Sequence, residues 1–422
     1  MPTYASTSRV SIAYKPETVF GVTPSAGTNY YELRVTGESL DFTVAKTQSS
    51  EINANRSVSS QTPTSASAQG GVQAEFSHGE YDKFLQNTLQ STFSAYGTNG
   101  VATVGATSVA FTATTITITP APTALSVGQW FRMTRPGQLN DGKLFRVHPT
   151  TAPSGTLITL DPNTPALVES TTSTQTWNLQ AARLTNGTTQ SSVSLQRTMN
   201  DMSPVEYMVY RGMTASKFSL NIASGSLTSI SFDFMGKDGL NFSGANVPLA
   251  KGIKASDNTL DVGTSTSLAS MTGGAHSGVT ATNCILWKSG APLTATVAKS
   301  ITLDYDNTLA VQEAICSLGA IGIRSGNINC SVSMQLYFAS GATFFSEFLG
   351  NSNFELAFSS VDSSGNTYVF TMPAANVATY KVNAGGKDND LLVDVTFTGL
   401  RDSTLNKVLV IDRCGTAVTI PT

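Results

Sequence analysis

The chain has 422 residues and a formal net charge of −3, with 25 Lys+Arg against 28 Asp+Glu. That balance offers no basic excess for neutralising phosphates, which argues against tight nucleic-acid binding. Charged residues are 13% where about 25% is usual, and apolar residues recur throughout at 40%, so neither a helical bundle nor a disordered chain fits.

The opening Met-Pro-Thr-Tyr-Ala-Ser-Thr-Ser-Arg has no charged-then-apolar leader, and no apolar run approaches the ~18 residues of a membrane span. The expectation is a β protein made in the cytosol. Between Ser49 and Gln69 lie twenty-one residues with almost no large apolar side chain, a long polar stretch flanked by strands. Val72, Ala74 and Phe76 then alternate into Gly79. Beyond it Tyr81, Phe84, Leu85 and Leu89 are spaced as one apolar stripe on a short helix.

From about Tyr96 to Gln180 the chain becomes poor in charge and rich in Thr, Pro and Gly, the composition of a small inserted β domain. Within it Gly137–Leu144 approaches a phosphate-binding loop, but Leu144 stands where Mg²⁺ needs a hydroxyl and strands flank it on both sides, so a hairpin loop is expected. Asn186-Gly187 reads as a type I′ hairpin turn. Alternation resumes at Phe218, Leu220, Ile222 and at Ile230, Phe232, Phe234.

The second half repeats these signals. Ile328 to Phe338 alternates over eleven residues and leads into Gly341, after which Phe345, Phe348 and Leu349 repeat the helical stripe. Val393, Val395, Phe397, Gly399 then match Ile230, Phe232, Phe234, Gly236. The order is the same in both places, which implies an internal duplication. Without the insert the first copy (1–95 and 181–250) has 165 residues and the second (251–422) has 172. In the second copy Gln312–Arg324 occupies the place of the polar stretch, with Ile315, Leu318, Ile321 and Ile323 as an apolar arm suited to touching another chain.

Chemistry-bearing patterns are sparse. His78, His148 and His276 stand apart from any nucleophile or metal-ligand spacing, and Cys284, Cys316, Cys330 and Cys414 form no CxxC pair. Gly385–Asp390 holds clustered carboxylates without the spacing or closing Glu of an EF-hand, and reads as a polar turn. Trp130, Trp177 and Trp287 are core residues or, alternatively, a sugar-binding platform. No enzyme, cofactor or metal site is expected.

Several segments resemble the major tail tube proteins of long-tailed, siphovirus-like phages. They are Lys15-Pro-Glu-Thr-Val-Phe-Gly-Val-Thr-Pro24, Thr36-Gly-Glu-Ser-Leu40, Glu51-Ile-x-x-x-Arg56, Arg211-Gly-Met-Thr, Phe232-Asp-Phe-Met-Gly-Lys-Asp238, Gly386-Lys-Asp-x-Asp with Leu391–Phe397, and Val408-Leu-Val-Ile-Asp-Arg413. The resemblance implies an all-β fold: two tandem tail-tube β-sandwich or barrel domains, each with one short helix, and a small β domain at 96–180 on the tube exterior. It implies a structural virion protein assembled in the bacterial cytoplasm, whose rings of six domains stack into a conduit that DNA crosses without specific binding. Implied partners are further copies of the chain, a tape measure protein, a tail terminator and baseplate or initiator proteins, with no membrane. Two domains per chain favour a trimeric ring, with a hexamer as the alternative. Glu51, Arg56, Ile315, Leu318, Ile321 and Ile323 are the expected contacts between subunits or rings. A carbohydrate-binding or adhesion protein is the alternative function.

Overall fold

The computed structural model describes residues 5–23, 30–105, 107–120, 125–171, 176–243, 266–267, 285–293, 297–338, 344–387 and 389–421. His276 and Cys284 lie outside them. The fold is all-β, with two short α-helices among the described residues.

Its centre is an eight-stranded antiparallel sheet. In chain order its strands are β1 (Asp41–Gln48), β2 (Gln61–Glu75), β3 (Glu206–Ala223), β4 (Ser229–Gly236), β5 (Ala298–Asp306), β6 (Asn329–Tyr337), β7 (Thr367–Asn383) and β8 (Leu392–Leu400). Across the sheet they run β1-β2-β4-β3-β5-β6-β8-β7. This is one four-strand pattern used twice, joined where β3 pairs with β5. Helix α1 (Asp82–Leu89) follows β2, and α2 (Phe345–Gly350) follows β6, the same place in each pattern.

The repeat extends to the irregularities. The strands β3 and β7 are long and pass from this sheet into a second layer, where their first halves pair with Val193–Met199 and Phe354–Val361 respectively. Both crossings carry the same two register shifts, Val193/Leu195 with Ala215/Lys217 in the first half and Phe354/Leu356 with Val377/Thr379 in the second. Bulges of this kind let one strand turn a corner between sheets. Val10–Pro16 and Asp238–Ser243 extend the second layer in the first half, as Leu286–Lys288 and Val410–Cys414 do in the second.

One core serves both halves. Phe76, Phe84, Phe218, Phe232, Phe234, Tyr305, Phe370 and Phe397 all belong to it, and Phe84 meets Phe232 and Phe234 edge-on at 5.4 and 5.1 Å. Gly70 is needed where β2 crosses the chain before β1: its φ is +134, and a Cβ there would stand 2.3 Å from the Ser39 carbonyl oxygen.

Residues 96–180 form two further four-stranded sheets around a separate core of Phe111, Phe131, Phe145 and Trp177. Gly137–Leu144 joins the hairpin strands Trp130–Thr134 and Lys143–Arg146, as its failed phosphate-loop pattern predicts. This unit seats on the second half. Trp130 meets Trp287 edge-to-face at 5.0 Å, Arg146 lies over both rings, and Arg146 pairs with Glu355 at 2.7 Å. The Trp130 N–H of the backbone and the Arg183 guanidinium both donate to the buried Asp412 carboxylate. All three tryptophans are buried, so they present no platform to solvent. Replacing Trp130 with Ala is expected to cost about 3–5 kcal/mol in chemical denaturation, by the cavity it leaves between insert and second half.

Three local expectations need correction. Asn186-Gly187 is not a type I′ turn, because neither residue has a positive φ and Ala182–Thr185 pairs with Val410–Cys414 rather than with its own neighbour. Asn186 Oδ1 instead accepts the Val408 amide at 2.8 Å, which anchors two distant segments. The Ser49–Gln69 stretch is polar but only partly loop: from Gln61 it is already β2, hydrogen-bonded to β1. The third concerns α2, whose Phe345, Phe348 and Leu349 stripe faces outward at 42%, 37% and 69% exposure, while Phe344 supplies the buried contact. Among the described residues those three side chains lack the cover that buries the α1 stripe.

Candidate assembly interface

Alternation gives the central sheet one greasy face and one polar face. Across six strands one row of the polar face reads Gln73, Ser231, Ser219, Asp304, Ser331, Thr398. The next rows continue in kind, with Ser333 beside Thr396 at 3.4 Å and Gln335 donating to Asp394 at 3.0 Å. Its carboxylates are Asp41, Glu75, Asp233, Asp304, Asp306 and Asp394, and its bases are Lys217, Lys381 and Lys299, Lys217 standing 3.5 Å from Asp304. Such a surface of hydroxyls and net negative charge repels phosphate and offers it no cluster of cations.

Among the described residues the sheet ends at β1 on one side and at the last part of β7 on the other, neither of which pairs with a further strand there. The β1 edge satisfies its outward groups from within the chain. Ser39 donates inward to Gly71, so by alternation Leu40 and Phe42 turn their backbone groups outward. There the Leu40 amide donates to Glu38 at 2.9 Å and the Phe42 amide to Asp41 at 2.8 Å. The Leu40 carbonyl accepts from Arg197 at 2.5 Å and from Tyr210 at 3.2 Å. Carboxylates and Arg on an edge discourage indiscriminate strand addition.

Beyond the edges, the β1–β2 connection carries Glu51 and Arg56 on an exposed hairpin end. Glu51 accepts from Ser59 at 2.8 Å, and Arg56 adopts φ +62 in the turn. The same turn presents Ile52 fully exposed and Val58 half-exposed, two apolar candidates that composition averaging over the polar stretch had hidden. The apolar arm of the second half is a short hairpin, Ala310–Gln312 with Gly322–Arg324. Ile315, Leu318 and Ile321 are exposed, but Ile323 is buried within the chain, because alternation along its strand turns it inward. Leu318 also accepts the Ala66 amide of β2 at 2.7 Å, so this arm leans on the first half. These residues do not come together at one place.

A buried polar cluster fastens α1 to the second half. Asp82 forms an ion pair with Arg413 and accepts the Tyr368 hydroxyl at 2.7 Å, while Tyr368 oxygen accepts the Gly79 amide at 2.9 Å. Burial opposes the Arg413 charge, but Asp82 and Tyr368 outweigh it and hold its pKa above the ordinary value. His78 bonds the Thr416 carbonyl at 3.0 Å, and burial together with the Arg413 charge pushes its pKa down, so it sits as a neutral structural group.

Nearby Glu80 is buried with one oxygen on the Arg34 amide at 3.2 Å, and burial lifts its pKa to about 7. Because the folded state then holds this proton more tightly than the unfolded chain, stability falls as pH rises from about 4.5 towards about 7. Glu80→Gln is expected to flatten that slope and to raise stability by about 1–3 kcal/mol near pH 8, measured by urea denaturation at acid and alkaline pH.

Among the described residues no group of three or more His, Cys, Asp or Glu side chains gathers as a metal site. Gly385, Asn389 and Asp390 border a shallow polar depression with Lys299, Gln335 and Asn383, at the open β7 edge.

Among the described residues, a four-strand pattern used twice in one sheet, a hydroxyl-rich acidic face and exposed hairpin ends are features of a structural rather than a pocketed protein. Comparison with known families places it further. The family model described as phage tail tube protein matches residues 7–399, and the chain belongs to that family. No curated protein matches the chain. The protein is accordingly a structural component of a phage tail that self-assembles into a tube.

Proposed function

We propose that each chain supplies two tube units and that three chains close a ring of six units, stacked copies of which form the channel for DNA ejection from a siphovirus-like tail. The observation that carries this reading is the β3–β5 junction, where one four-strand unit pairs with the next inside a single chain. Two units of 165 and 172 residues fit three chains to a sixfold ring. The unit boundaries are 1–95 with 181–250 and 251–422, and 96–180 is an exterior module, supported by its seating on the second layer rather than on the polar sheet face.

The polar face of the central sheet lines the lumen, where net negative charge lets DNA pass without being held. Glu51, Arg56, Ile315, Leu318 and Ile321, with Ile52 beside them, meet neighbouring subunits or rings. Assembly in the host cytoplasm involves tape measure, terminator and baseplate or initiator proteins. The role is structural rather than catalytic.

Negative-stain electron microscopy with mass photometry tests the reading. Rings with a central channel and a mass of three chains are expected. Channelled rings of six chains would overturn the stoichiometry, and a glycan-binding monomer that never forms rings would overturn the tube role.

A further inference from the structure

The sequence holds two Asn-Gly pairs, and the type I′ turn expected at Asn186-Gly187 occurs instead at Asn99-Gly100. Thr98 and Val101 exchange both backbone hydrogen bonds across it, at 3.0 and 3.1 Å, and the two turn residues have φ +56 and +93. The turn lies where the chain enters the insert, between Ser94–Ala95 and Val101–Val104. Asn99 is exposed at its tip, and among the described residues the Gly100 amide donates to no acceptor.

An Asn followed by Gly is open to attack from its own main chain, because glycine puts no side chain in the way of its nitrogen. The Gly100 nitrogen bonds to Asn99 Cγ, the Cγ–Nδ2 bond breaks, and ammonia leaves with the amide proton. Water then opens the five-membered succinimide at one of its two C–N bonds. One opening gives Asp with the original main chain, and the other gives isoaspartate, whose main chain runs through Cβ and Cγ. One water is consumed and one ammonia released, with no change of oxidation state.

The two pairs stand in opposite conditions. At Asn186 the attacking amide is engaged, since the Gly187 N–H donates to the Leu89 carbonyl at 2.8 Å. The group under attack is fixed as well. Asn186 Oδ1 accepts the Val408 and Leu409 amides at 2.8 and 3.4 Å, and the Asn186 carbonyl accepts Lys407 Nζ at 2.8 Å. Asn99, by contrast, is held at its side chain by Nδ2 donating to Thr419 Oγ1 at 3.0 Å on the surface. Gly100 is also hard to replace, because its φ is positive and a Cβ there would stand 3.0 Å from Arg413 Nη2.

We propose that Asn99 is a site of spontaneous covalent modification, deamidating through a succinimide to isoaspartate and Asp, while the fold protects Asn186. The isoaspartate form loosens the seam between the insert entry and the second half. The Asn99 carbonyl accepts Arg413 Nη2 and the Val418 amide, each at 3.1 Å, and the Gly100 carbonyl accepts the Ala181 amide at 2.9 Å. In isoaspartate the Asn99 carbonyl leaves the main chain as a carboxylate and the turn gains a methylene. The two-residue hairpin then no longer closes on Val101, and the Val418 contact is lost with it. Arg413 belongs to the buried Asp82 pair, so the damage reaches the cluster that fastens the two halves.

The experiment ages the full chain at alkaline pH, folded and in urea, and maps the products by mass spectrometry. Trypsin separates the sites, because Asn99 lies between Lys83 and Arg132 and Asn186 between Arg183 and Arg197. In the folded chain Asn99 is expected to convert roughly tenfold or more faster than Asn186, whose attack requires the Gly187 bond to open first. In urea the two should convert alike. Folded-state conversion at Asn186 equal to or above that at Asn99 overturns the proposal, as does an intact Asn99 in a folded chain whose urea control reacts. Electron-transfer fragmentation distinguishes isoaspartate from Asp. The aged fraction carrying isoaspartate at 99 should have a folding equilibrium constant roughly tenfold below the parent's. Freshly made Asn99→Asp, with the same added charge and an unaltered main chain, should lie closer to the parent. An isoaspartate fraction as stable as the parent would overturn the loosening of the seam.

Discussion

Arg413→Met is expected to destabilise the chain by about 3–5 kcal/mol, because it leaves the Asp82 carboxylate buried without its counter-ion. The geometry makes this site unusually sensitive. Both side chains of the pair are almost wholly buried, and Asp82 has only the Tyr368 hydroxyl left as a donor once Arg413 is gone. The pair also joins α1 of the first half to the Val410–Cys414 strand of the second, so its loss loosens one half from the other rather than one side chain from its pocket. The double replacement Asp82→Asn with Arg413→Met should recover part of the loss, since no uncompensated charge remains. Guanidinium denaturation of both single variants and the double variant measures the coupling. A single-variant cost below about 1 kcal/mol would mean that the cluster is wetter and weaker than its burial implies.

The second large effect concerns assembly. Val382→Pro is expected to abolish ring formation while leaving the isolated chain folded. Proline removes the amide that β7 turns to the open side, and it sits at an edge position where no bond within the chain is lost. The lost ladder bond, with its partner carbonyl left unpaired, costs about 1–3 kcal/mol and weakens each junction by roughly ten- to a hundredfold, a loss compounded at every junction of a closed ring. Circular dichroism melting should shift by only a few degrees, whereas mass photometry should show single chains. Intact rings from this variant would mean that the β7 edge is not where copies join.

Much of this architecture can be read in the chain before folding. Alternation at Phe218–Ile222, Ile230–Phe234, Ile328–Phe338 and Leu391–Phe397 marks strands of the central sheet, since side chains on a half-buried sheet must obey period two. The apolar stripe Tyr81–Leu89 marks α1 for the same reason at helical period. Matching strand–helix and Phe-x-Gly segments reveal the repeat because both copies meet the same packing demands.

Other features depend on neighbours that are remote in sequence. Pattern alone treats the two helical stripes as equals, yet α1 is buried and α2 exposed, because only α1 has a second unit of the same chain beside it. Ile323 shares its composition with Ile315 and Ile321, but strand direction turns it inward. The Asn186 contact with Val408 and the seating of Trp130 on Trp287 each bridge more than one hundred and fifty residues, a separation that no local signal encodes.

The sequence by itself determined that the protein is all-β and that its strand–helix pattern recurs in the second half, because periodicity and composition are local consequences of burial on one face. Only the tertiary structure decided that the two four-strand patterns share one sheet, that this sheet has a polar acidic face, and which strands stand at its edges among the described residues. Those properties arise from which strands become neighbours, and backbone hydrogen bonding is indifferent to side-chain identity until packing selects the partner.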